Sequence, residues 1–220
     1  MREYWLDRVR QHEQDSYAGV PLSKFPEDLR VYEHLIWSTR PNVVIEIGAQ
    51  HGASALWLRD RLRTLAAYGL VDSPRVISID VDMAVARQNL AQVDPDHGLT
   101  IELVESDVLD PDLPRRIESL LPQGARCLVI EDSAHVYETT MAALDGFASF
   151  VAPGGFFVVE DGCVDVEEMR ASPDWPRGVL PAIRDWLDTE EGRRFEQVRD
   201  MELYGISCHP GGFLRRISSD

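Results

Sequence analysis

The sequence has few cysteines, and none of them lie at a spacing typical of metal-binding or redox motifs. Cys127, Cys163 and Cys208 are far apart, and no C-x-x-C motif occurs among the 220 residues. A disulfide framework or a cysteine-ligated zinc site is therefore not indicated. Reduced cysteines are typical of the cytosol, so we expect a cytoplasmic protein.

Long apolar runs are also missing. No apolar core follows Met1, and no run approaches the roughly 20 residues that a membrane-spanning helix needs. The sequence therefore predicts neither a signal peptide nor a transmembrane helix.

Positive charge is scarce. Lys and Arg total 22 against 38 Asp and Glu, which gives a formal net charge of -16. Nucleic acids and anionic membranes bind surfaces where Lys and Arg are clustered, because those residues displace counterions from the phosphates. We therefore expect no nucleic-acid partner and no membrane partner. A small-molecule substrate remains the natural class of ligand.

The apolar content is ample for a core. Apolar residues make up 44% of the chain, and the 13 prolines are scattered, which favours one α/β domain over residues 1–220. Within it, residues 1–41 are expected to form an N-terminal helical cap that covers the substrate. The cap has a sparse apolar stripe around Trp5 and Val9, which offers a surface for a homo-oligomer, and a helix that opens at Pro26.

The stretch from Val43 to Ser54 carries the strongest local motif. A β-branched run ends in Glu46, Gly48 and Gly52, which predicts a buried strand, a tight turn and the start of a helix. The spacing is E-x-G-x-x-x-G, and Glu46 would put a negative charge where a dinucleotide pyrophosphate rests. A zwitterion with a cationic centre, such as S-adenosylmethionine, fits better than a nicotinamide cofactor. The alternative is a glycine turn that only connects two elements tightly.

Four more apolar runs follow, with helical segments between them, at 75–80, 100–107, 127–132 and 155–161. Strands alternating with helices predict a parallel sheet with right-handed crossovers. Every run ends in a carboxylate, and the carboxyl ends of parallel strands meet at the ligand-binding edge. Helix capping is the alternative for any one of these acids. The converging acids are Glu46, Asp80, Asp107, Asp132, Glu160 and Asp161.

The last third of the chain predicts a helix over 180–187 and two strands, 195–207 and 212–217, around the turn at 209–211. A hairpin cannot join parallel neighbours, so we expect the sheet to finish with an antiparallel pair.

Taken in order, these motifs resemble those of class I S-adenosylmethionine-dependent methyltransferases. More narrowly, they resemble the cephalosporin hydroxylase and rhamnosyl O-methyltransferase family. The resemblance runs from about Tyr17 over nearly the whole chain and implies a doubly wound, Rossmann-like α/β sheet, mostly parallel with an antiparallel terminal hairpin. It rests on Gly19-Val20-Pro21 with Lys24 and Pro26, Glu46-Ile47-Gly48, Asp132-Ser133-Ala134-His135, and Pro153-Gly154-Gly155 leading into Glu160-Asp161.

The resemblance also implies roles for the cofactor residues. Glu46 and Gly48 would line the methionine end of S-adenosylmethionine, and Gly52 belongs to the same turn. Asp80 would accept hydrogen bonds from the ribose hydroxyls, and Asp107 would lie beside the adenine. A carboxylate suits a ribose diol because it offers two acceptor oxygens. For Asp80 the alternative is a cap on the helix that starts near residue 83.

A divalent metal is implied as well, held by Asp132, Glu160 and Asp161. An all-carboxylate site favours Mg²⁺ or Mn²⁺ over Zn²⁺. Neighbouring strand residues point to opposite faces, so Glu160 and Asp161 can share an ion only if the chain has left the strand by Asp161. The alternative is a solvated acidic edge.

His135, three residues after Asp132, is the candidate catalytic base. Related sugar methyltransferases can carry an acid where this chain has Ala134, so the identity of the base stays open. A cap or a supporting hydrogen-bond donor is the alternative for His135. His51, in the glycine turn, is a weaker candidate for the base and is expected to be structural.

The sequence thus predicts an S-adenosylmethionine-dependent and divalent-metal-dependent O-methyltransferase. Its acceptor would be a sugar hydroxyl or a small natural product, for example in antibiotic biosynthesis. The alternatives are a non-catalytic cofactor-binding subunit of an enzyme pair, a carboxyl O-methyltransferase and, least favoured, a nicotinamide oxidoreductase.

Overall fold

The structure is a computed structural model, and it describes residues 2–217. A seven-stranded sheet with helices on both faces dominates these residues, and a two-stranded ribbon precedes it. The helices are α1 Arg2–His12, α2 Pro26–Thr39, α3 Ala53–Ala67, α4 Ala84–Val93, α5 Leu113–Glu118, α6 Tyr137–Phe147 and α7 Val179–Leu187. The strands are β1 Ser16–Tyr17, β2 Val20–Pro21, β3 Val43–Ile47, β4 Arg75–Asp80, β5 Ile101–Glu105, β6 Cys127–Glu131, β7 Phe156–Val159, β8 Phe195–Gln197 and β9 Phe213–Arg216.

The sheet has the order β5-β4-β3-β6-β7-β9-β8. The first five strands in this order run parallel, and β9 pairs antiparallel with both β7 and β8. The strand order reverses beside β3, which places a ligand crevice at the carboxyl ends of β3, β4 and β6. The predicted doubly wound, Rossmann-like sheet with an antiparallel end is confirmed.

Alternation of side chains along each strand divides the core between two faces. In β3, Val43, Ile45 and Ile47 pack on the face covered by α1, α5, α6 and α7. Val44 packs on the opposite face, against α2, α3 and the Leu90 side chain of α4. Both faces are apolar, as expected for a parallel sheet with helices on each side.

The register of the strands brings their ends level. Ile47 lies beside Ile79 of β4 and Glu131 of β6, and Glu131 lies beside Val159 of β7. The residues that follow these positions therefore share one edge of the sheet. This explains in structural terms why the acids at the strand ends converge.

The predicted C-terminal strand is wrong in extent. Only Phe195–Gln197 of the expected 195–207 strand is extended, and residues 198–212 form a long connection rather than a tight turn at 209–211. Part of this connection is buried: Cys208 and His209 lie beneath the sheet edge, with 8% and 2% of their surface exposed. Tertiary packing therefore overrides the local strand propensity there.

The N-terminal stripe packs against the protein itself. Trp5 and Val9 are buried in the main core, and the Trp5 ring lies 5.2 Å from that of Phe25. The Trp5 indole N–H donates to the carbonyl of Met169, and Arg8 pairs with Glu27. The stripe is buried within the protein and is therefore not free to bind a second copy of the chain. Homo-oligomerisation stays a prediction, but this stripe does not provide the surface for it. Within residues 2–217, every helix is too short or too polar to span a bilayer.

Candidate active site

A cavity of about 750 Å³ opens at the carboxyl edge of the parallel strands. The loops after β3 to β7 form its floor, and His12, Glu13 and residues 21–24 of the N-terminal segment form part of its wall. The predicted site residues on its surface are Gly48, Asp80, Asp107, Asp132, His135 and Asp161.

Gly48 is required by the neighbouring strand. Its φ is +104°, and a Cβ there would lie 1.9 Å from the carbonyl oxygen of Asp132. Side chains cannot approach backbone so closely, so only glycine fits. The structure thus shows that Asp132, the residue directly after β6, approaches this turn closely.

Asp80 ties the glycine turn to β4. Its Oδ2 accepts the backbone N–H groups of Ala49 and Gln50, each at 2.9 Å. It does not cap α4, because Asp82 accepts the N–H of Ala84 at 2.9 Å instead. The helix-capping alternative for Asp80 is therefore wrong. The expected contact between Asp80 and the ribose stays a prediction. The position of the Asp80 side chain on the cavity surface is compatible with it.

The other cofactor residues divide between the cavity and the core. Asp107 faces the cavity and accepts the N–H of Leu109. Glu46 lies below the cavity floor with 1% of its surface exposed, accepts the Ser78 hydroxyl and does not line the cavity. Burial raises the pKa of Glu46. Gly52 is the N-cap residue of α3, and a Cβ there would lie 3.2 Å from the Leu90 side chain. A direct role for Glu46 or Gly52 in binding the cofactor stays a prediction.

A lysine that sequence reasoning gave no role lies between two of the predicted metal ligands. The Lys24 ammonium donates to Asp132 Oδ2 and to Glu160 Oε2, each at 2.5 Å. The Tyr32 hydroxyl donates to the other oxygen of Glu160 at 2.6 Å. Burial by itself would raise the pKa of Glu160. The charges of Lys24 and His209, together with the hydrogen bonds from Lys24 and Tyr32, outweigh burial and lower that pKa to about 2. Burial and the neighbouring Glu160 charge raise the pKa of Asp132.

His135 faces two carboxylates. Its Nε2 lies 3.4 Å from Asp161 Oδ2 and 3.9 Å from Asp132 Oδ1. Burial opposes the protonated form, but Asp161 and Asp132 together raise the His135 pKa above its ordinary value. His135 and Asp161 both have φ of 56°, a left-handed conformation that is uncommon outside glycine. Such strain collects at functional sites, where the surrounding structure holds it in place.

Behind these residues, the structure adds a histidine and an acid that the sequence did not single out. His209 Nδ1 accepts the backbone N–H of Asp161 at 3.0 Å. In the neutral ring the proton is therefore on Nε2, which lies 3.6 Å from Glu160 and 3.7 Å from Asp28. Asp28 accepts the N–H of Cys208. His209 thus holds Asp161 in its turn, and the chain has indeed left the strand before Asp161.

Comparison with known proteins agrees with this geometry. The family model for rhamnosyl O-methyltransferase/CmcI matches residues 10–217. This chain belongs to that family.

The curated proteins that this chain resembles are distant in sequence. A rhamnosyl O-methyltransferase of Mycobacterium bovis is 24% identical over 202 residues, covering 91% of this chain and 78% of that protein. A fatty-acid O-methyltransferase of Mycolicibacterium smegmatis is 27% identical over 197 residues, covering 87% of this chain and 63% of that protein. A solved structure of CmcI with Mg and SAM has a TM-score of 0.66 at 22% identity, covering 94% of this chain and 78% of that chain.

Family membership confirms the prediction of a class I S-adenosylmethionine-dependent O-methyltransferase. Family membership also excludes the alternative of a nicotinamide oxidoreductase, and it argues against the alternative of a non-catalytic cofactor-binding subunit.

The predicted metal ligands do not fit a divalent ion while Lys24 is in place. Asp132 and Asp161 lie close enough to share an ion with His135, and Glu160 and Asp161 lie close enough to share one with His209, but within residues 2–217 no such group contains all three acids. Both oxygens of Glu160 are already used, one by Lys24 and one by Tyr32. The point between Asp132 and Glu160 holds an ammonium group.

Proposed function

We propose that this member of the rhamnosyl O-methyltransferase/CmcI family transfers the methyl group of S-adenosylmethionine to a hydroxyl of an uncharged small molecule, with His135 as the base. The observation that carries the proposal is the position of His135. It faces the cavity beside Asp132 and Asp161, at the edge where the glycine turn and Asp80 meet.

In the proposed reaction, the acceptor hydroxyl gives its proton to the His135 imidazole as its oxygen attacks the sulfonium methyl carbon. The O–C bond forms while the C–S bond breaks, and the electron pair of that bond stays on sulfur, which leaves S-adenosylhomocysteine. Asp161 and Asp132 stabilise the imidazolium that forms, because both carboxylates lie within 4 Å of Nε2. Proximity contributes by holding the hydroxyl between the base and the methyl group.

The charge of the cavity favours a neutral acceptor. Lys24, the cation that faces the acids at its wall, is already paired with Asp132 and Glu160. An anionic acceptor would therefore meet like charges with little compensation. The acids on the cavity surface are Glu13, Asp80, Asp82, Asp107, Asp132 and Asp161.

Carboxyl methylation is the second candidate. It is favoured by the Mycolicibacterium smegmatis relative, which is named a fatty-acid O-methyltransferase. The acidic wall disfavours it here, so we place a sugar hydroxyl or a natural-product hydroxyl first. The rhamnosyl O-methyltransferase relatives support this order by name.

The N-terminal segment supplies the cover in this proposal. Pro21, at the end of the two-stranded ribbon, lines the cavity with Leu22 and Ser23. The Tyr17 hydroxyl fixes this ribbon by donating to Asp60 of α3. A cover of this kind keeps water from the reacting atoms.

Dependence on Mg²⁺ or Mn²⁺ is a separate part of the proposal, and it is conditional. Asp132, Glu160 and Asp161 can act together as ligands only in a state in which the Lys24 ammonium has left Glu160. The base chemistry above does not require that state.

The experiment is a methyl-transfer assay with labelled S-adenosylmethionine. The acceptors are matched pairs of similar size, a neutral diol and the corresponding carboxylic acid, each with EDTA or with Mg²⁺. We expect label on the neutral hydroxyl. Label only on the carboxylate would contradict the proposal, and activity that needs Mg²⁺ would support the conditional metal.

A further inference from the structure

Lys24 is the one lysine in the sequence, since every other basic side chain of the Lys and Arg type is arginine. It is also almost completely buried, with 7% of its surface exposed. A buried lysine is rare unless it is paired, and this one is paired with two carboxylates. A lysine ammonium is a compact point charge, whereas a guanidinium is a planar fork that needs more room.

The Lys24 ammonium lies between one carboxylate oxygen of Asp132 and one of Glu160, in the position that a metal ion bound to both oxygens would take. Asp132 Oδ2 and Glu160 Oε2 both lie 2.5 Å from Nζ. Mg²⁺ takes six oxygen ligands at about 2.0–2.1 Å, so small inward movements of these oxygens would supply two of them. Two cations cannot occupy that point together, because their repulsion is strong where water is excluded.

We propose that Lys24 is the resident cation of the Asp132–Glu160 pair, and that a divalent ion binds these carboxylates only by expelling the Lys24 ammonium into the cavity. The proposal concerns this chain's own lysine and the conditional metal part of the proposed function. It does not depend on the acceptor or on the base.

Expulsion has a structural consequence. Lys24 follows directly on Pro21, Leu22 and Ser23, which form the cavity wall, and it anchors them to the floor through its two ion pairs. Glu160 keeps its hydrogen bond from Tyr32 when Lys24 leaves. The wall therefore loses its link to the floor when the metal binds, while Glu160 stays in place.

The first experiment uses the single lysine as a reporter. The wild-type protein is treated with an amine-acetylating reagent, without cofactor or acceptor, at increasing Mn²⁺, and peptide mass spectrometry separates Lys24 from the N-terminal amine. We expect Lys24 to react slowly without metal and about tenfold or more faster at saturating Mn²⁺, following its transfer from a buried to an exposed position. Saturation with Mn²⁺ that leaves Lys24 as unreactive as before would overturn the proposal.

The second experiment measures Mn²⁺ affinity by calorimetry in the wild type and in Lys24→Met, which keeps the side-chain length and removes the charge. The control is Arg30→Met, which removes an exposed cation paired with Glu33. We expect Lys24→Met to bind Mn²⁺ at least about tenfold more tightly than the wild type, and Arg30→Met to bind as the wild type does. Equal affinity in wild type and Lys24→Met, or no binding in either, would overturn the proposal.

Lys24→Gln, compared with the wild type by circular dichroism, covers the case in which Lys24→Met does not fold. The same affinity gain is expected for it. Because neither experiment requires methyl transfer, failure of the competition and failure of the proposed reaction can be told apart.

Discussion

Replacement of Gly48 by alanine tests how the glycine turn and the carboxylate site depend on each other. The new Cβ would lie 1.9 Å from the Asp132 carbonyl oxygen, whereas ordinary van der Waals contacts begin at 3.4 Å. The backbone segments that contain Gly48 and Asp132 must therefore move apart by more than an ångström. The turn cannot simply move away from β6. On one side, the Gly48 N–H donates to the Ile79 carbonyl at 2.8 Å. On the other side, the Asp132 N–H donates to the Ile47 carbonyl at 2.7 Å.

The expected loss in the free energy of unfolding has two parts, and a control variant can separate them. Alanine at a positive φ costs about 1–2 kcal/mol, and Gly69→Ala should show this part by itself, because Gly69 has φ of +68° and nothing within 4 Å of its added Cβ. Gly48→Ala adds the clash and the strained hydrogen bonds, so we expect a loss of at least about 4 kcal/mol, in the range reserved for severe substitutions.

The assay is urea unfolding of both variants and the wild type, with equal m-values as the check that the comparison is sound. The functional measurement is the affinity of each variant for S-adenosylmethionine, determined by calorimetry in low denaturant. We expect this affinity to be weakened in Gly48→Ala and unchanged in Gly69→Ala. If Gly48→Ala loses no more free energy of unfolding than Gly69→Ala, the close approach of Asp132 does not constrain this turn, and the reasoning fails.

Two further substitutions test the proposed roles. Asp80→Ala should weaken S-adenosylmethionine binding by about 1.5–3 kcal/mol, the scale of lost hydrogen bonds to a charged group, and calorimetry that shows unchanged affinity would rule out the ribose contact. His135→Ala should lower kcat by about 10²–10⁴-fold with little change in cofactor affinity. Because Asp161 and Asp132 raise the His135 pKa, the neutral base forms only above the ordinary histidine value, so the wild-type rate should rise with pH through a limb above about 6.5 that His135→Ala lacks. A mutant that keeps both the rate and the limb would pass the role of base to another group.

Much of the fold was readable from local patterns. The apolar runs, each ending in an acid and separated by helical segments, predicted the parallel sheet, and the carboxyl-edge rule then brought Asp80, Asp107, Asp132 and Asp161 to one cavity. These inferences succeed because strand alternation and crossover handedness are set by short stretches of chain. The C-terminal strand failed for the opposite reason: burial of Cys208 and His209 beneath distant residues replaced the extended conformation that their neighbours favour locally.

The partners of the buried charges were decided only by the tertiary structure. The sequence supplied Glu160 and Asp161 as adjacent acids, but it gave no sign that His209, 48 residues later, would accept the N–H of Asp161. Lys24 is the single lysine and belongs to the motif of Gly19-Val20-Pro21 with Lys24 and Pro26. Nothing in the local sequence indicated that it would contact Asp132, which lies 108 residues further along the chain. Composition and periodicity determine which elements form, because they act along the chain. Which cation neutralises a buried carboxylate depends on distances across the fold, and these exist only once the sheet and its N-terminal cover have come together.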